Sequence, residues 1–315
     1  MLGRPHLLLV PLALALAAAH FTPGLLGSEN EISLHAEELG LPPATTETLR
    51  VAIATGEWGA AEGILFEAAS SNPESPSLLR ALGIAHFQAG RYFSAGSALK
   101  TSDALAPLDP EARFLLAGSF IRVERRHWAR AELERLVATH GESGRYRLAL
   151  ARVYYDQGQF AAALSQLDRI LKGSPAGVEV HDLRGQSLEG LGRNEAAVAA
   201  YRQAISLSRE AVSASAWPHY HLGSLLHDLG DVEAAAAALE AAVASDRTHA
   251  PAQRELGVVY LKANKLRLAA EALESAAELS PRDPAVQYSL VSVYRRLDRE
   301  GLAEAAMERF RELTE

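Results

Sequence analysis

The sequence has no cysteine. That absence excludes disulfides, thiolate metal sites, cysteine nucleophiles and a lipid anchor on cysteine together. Aromatic residues are scarce, 6% of 315. A large compact core normally leans on Phe, Tyr and Trp, so burial here must come from close packing of small side chains. Basic charge is in deficit: 31 Lys and Arg stand against 39 Asp and Glu, a formal net charge of -8. No surplus is available to displace counterions from phosphates, which argues against a nucleic-acid partner. At 48% hydrophobic and 22% charged, the chain fits neither a largely disordered protein nor a polytopic membrane protein.

Signatures of chemistry are missing too. Gly190-Leu191-Gly192 is no dinucleotide loop, because Glu195 stands where the third glycine belongs and no strand precedes it. No phosphate-binding loop, nucleophile elbow or HExxH zinc motif occurs. His219 and His221, near His227 and Asp228, come closest to a set of metal ligands. Side chains at i and i+2 of a helix point to different faces, however, so a polar patch is the expectation. No cofactor, metal or catalytic residue is expected, and the chain reads as non-enzymatic.

Alanine, by contrast, is abundant at 59 residues. Residues 1–19 read as a secretory signal peptide. Arg4 supplies the positive start, the 13 residues from Leu7 to Ala19 supply the apolar run, and Ala17-Ala18-Ala19 supplies the cleavage pattern. A membrane span needs about 20 apolar residues, and His20, Thr22, Pro23 and Gly24 close this run early. Export to the periplasm or beyond is therefore expected, with no integral span after cleavage. An uncleaved N-terminal anchor is the alternative. The Arg-over-Lys, Ala-rich usage suggests a GC-rich bacterium. Residues 20–41 read as a linker with one marginal helix over Ile32–Leu39, ended by Gly40 and Pro42-Pro43.

From residue 42 to 315 the sequence repeats itself. Units begin at Pro42, Pro76, Pro110, Gly144, Val178, Ala216, Ala250 and Pro284, spaced by 34 residues except for 38 between Val178 and Ala216. Position 20 of every unit is alanine: Ala61, Ala95, Ala129, Ala163, Ala197, Ala235, Ala269 and Ala303. At the overall alanine frequency that column has a chance of about one in a million, or about one in 10⁴ to 10⁵ allowing for the choice of frame, and the other columns agree with it. Position 24 is always large and apolar, from Leu65 to Met307. Position 8 is mostly Gly or Ala, and position 11 is often Phe, Tyr or Leu. Each column has a mechanical reason. Two helices of one unit approach closely only where side chains are small, at positions 8 and 20, and large residues at 7 and 24 fill the space beside that crossing. Gly56, Gly90, Gly158, Gly192, Gly230 and Asn264 at position 15 suit a left-handed turn between the helices. Pro73, Pro107, Pro175 and Pro281 stop the second helix. The extra residues in 208–215 are expected to lengthen the second helix of the fifth unit. In the last helix, Leu302, Ala306, Phe310 and Leu313 are expected to face the stack.

The recurring Leu-Gly-x-x-Tyr, Ala-x-x-x-large and Pro pattern, with its 34-residue period, resembles the tetratricopeptide repeat. The resemblance covers 42–315 and implies an all-α solenoid of about eight tandem helix-turn-helix repeats, curved into a right-handed superhelix with a concave face. It also implies that first-helix positions 2, 5, 9, 12 and 13 line that face. Arg80, Phe87, Phe114, Arg122, Arg152 and Tyr155 then fall toward its N-terminal part, and Trp217, Tyr220 and His227 near the middle beside an acidic stretch (Glu179, Asp182, Gln186, Glu189). Arg254, Lys262, Tyr288, Arg295 and Arg296 fall toward the C-terminus. The alternative for the apolar members is packing against the next repeat. Position 9 lacks the asparagine of the family's carboxylate-clamp variant, and position 6 lacks the family's asparagine ladder. The expected function is a scaffold that binds a protein or peptide segment, in envelope assembly, secretion or polysaccharide export. A self-assembling structural protein, forming homo-oligomers through its terminal repeats, and an accessory subunit of a cell-wall or glycan enzyme remain alternatives.

Overall fold

The computed structural model describes residues 34–173, 176–210 and 215–315. The expected leader, residues 20–33 of the expected linker, Pro175 and residues 211–214 of the expected insertion lie outside the described residues. Every regular element among the described residues is helical. Where a marginal helix was expected, a 3-10 turn runs over Ala36–Leu39 and ends on Gly40 at φ 66°. Sixteen α-helices follow among the described residues, and they group into two compact units divided after Gly173.

The first unit holds α1 (Pro43–Thr55), α2 (Trp58–Ser71), α3 (Pro76–Gln88), α4 (Tyr92–Leu105), α5 (Pro110–Arg122), α6 (Arg126–Thr139), α7 (Gly144–Asp156) and α8 (Phe160–Gly173). The second holds α9 (Val178–Gly190), α10 (Asn194–Glu210), α11 (Trp217–Asp228), α12 (Val232–Ser245), α13 (Ala250–Lys262), α14 (Leu266–Leu279), α15 (Pro284–Arg296) and α16 (Glu300–Thr314). Within each unit every helix packs on the next, so odd and even helices form hairpins. At 17 residues, α10 is longer than the 14-residue α8 and α12, and its extra length lies where the spacing widens to 38.

Local chemistry sets the ends of these helices. Prolines at the first helical position of α1, α3, α5 and α15 have no N–H to leave unsatisfied. Asp109 accepts the Ala112 amide at 2.9 Å, and Asp283 accepts the Ala285 amide at 2.9 Å, each capping an odd helix. The even helices α2, α4 and α14 stop two residues before Pro73, Pro107 and Pro281. The turn inside each hairpin passes through the left-handed region, at Gly56, Gly90, Gly158, Gly192, Gly230 and Asn264. Two further turns do so without glycine or asparagine, at Glu124 (φ 59°) and Asp298 (φ 55°).

The core of each hairpin is built from the alanine column and the large residue four places on. All eight alanines of that column are buried, as are Leu65, Leu99, Leu133, Leu167, Tyr201, Leu239 and Leu273. A fully buried leucine contributes about 2 kcal/mol relative to an exposed one. The glycine column lies directly against that large residue. A Cβ on Gly83 would approach Leu99 Cγ to 2.6 Å, and one on Gly223 would approach Leu239 Cγ to 2.6 Å. In the fifth hairpin Tyr201 replaces leucine, and a Cβ on Gly185 would run into its ring. Position 8 is therefore small to admit residue 24, not to leave room beside it. In the last helix Ala306 is buried as expected, but Leu302 is 46% exposed and Ala303 is buried in its place.

Neighbouring hairpins are joined by a contact that the sequence did not reveal. Tyr154, Tyr260 and Tyr294 each donate a hydroxyl hydrogen bond to a glutamate of the hairpin before: Glu134 at 2.9 Å, Glu240 at 2.7 Å and Glu274 at 2.9 Å. Burial and then the carboxylate push Tyr260 and Tyr294 up to about 12.

Candidate functional site

Odd helices touch one another side by side: α3 with α5 in the first unit, and α9, α11, α13 and α15 in succession in the second. Their outward faces carry the residues singled out from sequence, and these side chains do different jobs.

In the first unit, three of the nominated residues serve the fold rather than a surface. Phe114 is only 1% exposed; its ring packs 5.1 Å from that of Tyr146, and Arg145 lies 4.4 Å over it. Phe87 is also buried, edge-on to Tyr92 at 5.3 Å. Arg80 pairs with the capping Asp109 at 2.5 Å. Burial alone would raise Asp109, but the Ala112 amide and Arg80 outweigh it and hold the carboxyl below its ordinary value. Arg122, Arg152 and Tyr155 remain at the surface. Arg122 is exposed and lies 4.6 Å over the Tyr92 ring. Arg152 lies 5.9 Å over Tyr155, whose ring meets Phe160 at 5.5 Å, and the buried Arg152 Nε has no hydrogen-bond partner. Burial raises the Asp156 carboxyl, against the pull of Arg152 and Arg126. Tyr92 and Phe160 were missed because only first-helix positions were considered. Both begin an even helix and reach the same face through its first turn.

In the second unit, the nominated residues converge with partners that the sequence did not suggest. Trp217 is half-buried, its ring 4.3 Å from that of His249, 5.5 Å from His221 and 5.7 Å from Tyr220. Asp182 on α9 bonds His221 Nδ1 on α11 at 2.9 Å and accepts from Gln186 at 2.9 Å. Glu189, at the end of α9, accepts the Tyr201 hydroxyl at 2.6 Å. Burial raises its carboxyl, and nearby Asp228 and Asp182 push the same way, against Tyr201 and His221. His227 on α11 meets Glu255 on α13 at 2.7 Å, and Arg254 meets the capping Asp283 at 3.2 Å. Arg254 thus stands to Asp283 as Arg80 stands to Asp109, 29 residues apart in both cases.

Toward the C-terminus, Tyr288 is 59% exposed with its ring 5.7 Å from Phe310, and Lys262 and Arg295 are exposed. Arg296 is tied back to the preceding turn, donating to the Leu261 carbonyl at 3.0 Å and to Asn264 Oδ1 at 2.6 Å. Among the described residues, no three His, Asp or Glu side chains are placed to hold a metal ion, and no helix is long and apolar enough to cross a membrane. These faces offer half-exposed rings beside fixed charges, an arrangement suited to recognition along a strip.

Three family models match the chain: a tetratricopeptide repeat-like domain over residues 88–217, and tetratricopeptide repeats over 226–292 and 47–110. No curated protein matches in sequence. Among solved structures, a tetratricopeptide repeat protein from Parabacteroides merdae ATCC 43184 is similar at TM-score 0.64 and 16% identity, over 82% of this chain and 98% of that one. The APC/C hetero-tetramer Cut9-Hcn1 gives TM-score 0.58 and 18% identity over 82% of this chain. This chain spans about half, 48%, of the Cut9-Hcn1 chain it matches. MamA 41-end from Desulfovibrio magneticus RS-1 gives TM-score 0.51 and 18% identity, over 57% and 99%.

Proposed function

Since the chain belongs to the tetratricopeptide-repeat family, we propose that it is a non-catalytic scaffold that holds a segment of a partner protein against the faces of its odd helices. One observation carries this reading. In both units, odd helices leave aromatic rings partly open (Tyr155, Trp217, Tyr220 and Tyr288), with Arg152 over Tyr155 and Arg254 against Tyr220. Aromatic and arginine side chains of this kind dominate the energetics of protein interfaces. An extended or helical segment is the ligand whose length suits a row of parallel helices.

We further propose that the scaffold works outside the cytoplasm, in envelope assembly, secretion or polysaccharide export. The apolar run Leu7–Ala19 with its small-residue end supports export. N-terminal sequencing of the mature protein tests this point. A chain starting at His20 is expected, and an intact Met1 overturns cleavage.

Capture from the native envelope tests the scaffold itself. The double variant Tyr288→Ala with Arg295→Glu alters two exposed side chains and no described ion pair. It is expected to retain a wild-type melting temperature and to lose at least about tenfold of partner capture, since hot-spot losses reach 2 kcal/mol or more. Undiminished capture removes the C-terminal stretch from the binding surface.

A further inference from the structure

The second unit's face carries more specific chemistry than a generic strip. Tyr220 lies on α11, which contacts α9 on one side and α13 on the other, and it feels the charge of a carboxylate from each, Glu189 of α9 and Glu255 of α13. The Trp217 ring lies 5.7 Å from that of Tyr220 and 4.3 Å from that of His249. Asp182 and the exposed Asp228 add negative charge around Glu189. The basic side chains of the same face already have acidic partners. Arg254 lies against Tyr220 and is held by Asp283, His221 lies on Asp182 and His227 lies on Glu255. The hydrogen bond that Glu189 accepts comes from the neutral hydroxyl of Tyr201.

A carboxylate drawn out of water beside further carboxylates, with a neutral donor on it, is poorly compensated. An arriving cation would supply the missing charge. Tyrosine and tryptophan faces attract a guanidinium more readily than an ammonium, because the planar group stacks on a ring while its N–H groups reach carboxylates at its edge. An acidic segment would be repelled here. An aliphatic side chain would cover Glu189 and leave it worse solvated.

Building on the scaffold reading above, we infer that the cluster on α9, α11 and α13 that holds Trp217, Tyr220, Glu189 and Glu255 receives an arginine side chain from an extended basic segment of the partner protein, with lysine a weaker substitute. The first unit's face, with Arg122 and Arg152 beside Tyr92 and Tyr155, lacks this chemistry.

The test uses the full chain and the peptide acetyl-Ala-Ala-Arg-Ala-Ala-amide, with norleucine and glutamate versions as controls. Binding is followed by NMR at the Trp217 indole N–H, assigned with Trp217→Phe. The arginine peptide is expected to bind at least about fivefold more tightly than the norleucine peptide, and the glutamate peptide to cause no saturable shift. The preference should shrink as salt is raised, since part of this face is exposed. The double variant Glu189→Gln with Glu255→Gln is expected to abolish it. If that variant melts early, the exposed Asp228→Asn serves instead, with about a twofold loss. Equal binding of the arginine and norleucine peptides overturns the inference, as does a preference that survives these substitutions in folded protein. Should partner contacts still map to Tyr155 and Tyr288 in that event, only the arginine site falls and the scaffold reading stands.

Discussion

Leu99 fills the place where a side chain on Gly83 would be: a Cβ there would lie 2.6 Å from Leu99 Cγ and 3.2 Å from the Leu99 backbone nitrogen. Because part of the obstruction is backbone, the leucine cannot simply rotate away. Gly83→Ala is expected to destabilise the protein by about 1–3 kcal/mol through overpacking. Leu99→Ala alone should cost about 2–5 kcal/mol through the cavity it leaves. The two should couple, with the double variant less damaged than the sum, as contacting residues do. Urea denaturation of the four proteins checks this, and strict additivity would mean that the two residues do not touch.

Glu124 turns the third hairpin at φ 59°. The left-handed region costs a residue with a Cβ about 1–2 kcal/mol, and six other hairpins use Gly or Asn there. Glu124→Gly is expected to raise stability by about 1 kcal/mol, read as an increase in melting temperature. A decrease would show that the glutamate side chain makes a contact worth more than its strain.

The tyrosine–glutamate links titrate at high pH. Tyr260 and Tyr294 are raised to about 12 from 10.0, by burial first and then by Glu240 and Glu274. The folded state thus holds their protons more tightly than the unfolded chain does. Their contribution is complete below pH 10 and disappears as pH rises through 12. At neutral pH each tyrosine-to-phenylalanine change is expected to cost about 1.5–3 kcal/mol, the range for a hydrogen bond to a charged group. Between pH 10 and 12 wild type should lose stability more steeply than the Tyr260→Phe, Tyr294→Phe double variant. Parallel curves would contradict the assignment.

Arg80 and Arg254 look alike in sequence and act alike in structure, each pairing with the aspartate that caps the next odd helix. Arg254→Met should therefore lower stability by up to about 1 kcal/mol, as for a partly exposed pair. A loss of partner capture larger than that of the Tyr288, Arg295 variant would return Arg254 to the binding surface.

Much of the fold was legible because each repeat solves the same packing problem with the same residues. Alanine recurs at position 20 because a backbone passes there, and glycine recurs at 15 because the turn needs positive φ. The left-handed conformation of Glu124 and Asp298 was not legible, because tertiary packing there holds ordinary residues in the conformation that glycine takes elsewhere. The site was less legible. Position within a helix told that Arg80, Phe87 and Phe114 lie on the odd-helix side, but not that neighbouring repeats close over them. Tyr92, Phe160, Tyr201 and Glu255 come from other columns, and only the packing of adjacent hairpins brings them to the same faces.

The central claim is that odd-helix faces are the working surface. Photo-crosslinking in the native cell addresses it most directly, with a photoreactive phenylalanine placed in turn at Tyr155, Lys262 and Tyr288 on odd helices, and at Phe93, Leu268 and Leu302, exposed on even helices. Adducts to a common partner are expected from the odd-helix positions, with few or none from the others. Adducts confined to Phe93, Leu268 and Leu302 would contradict the account.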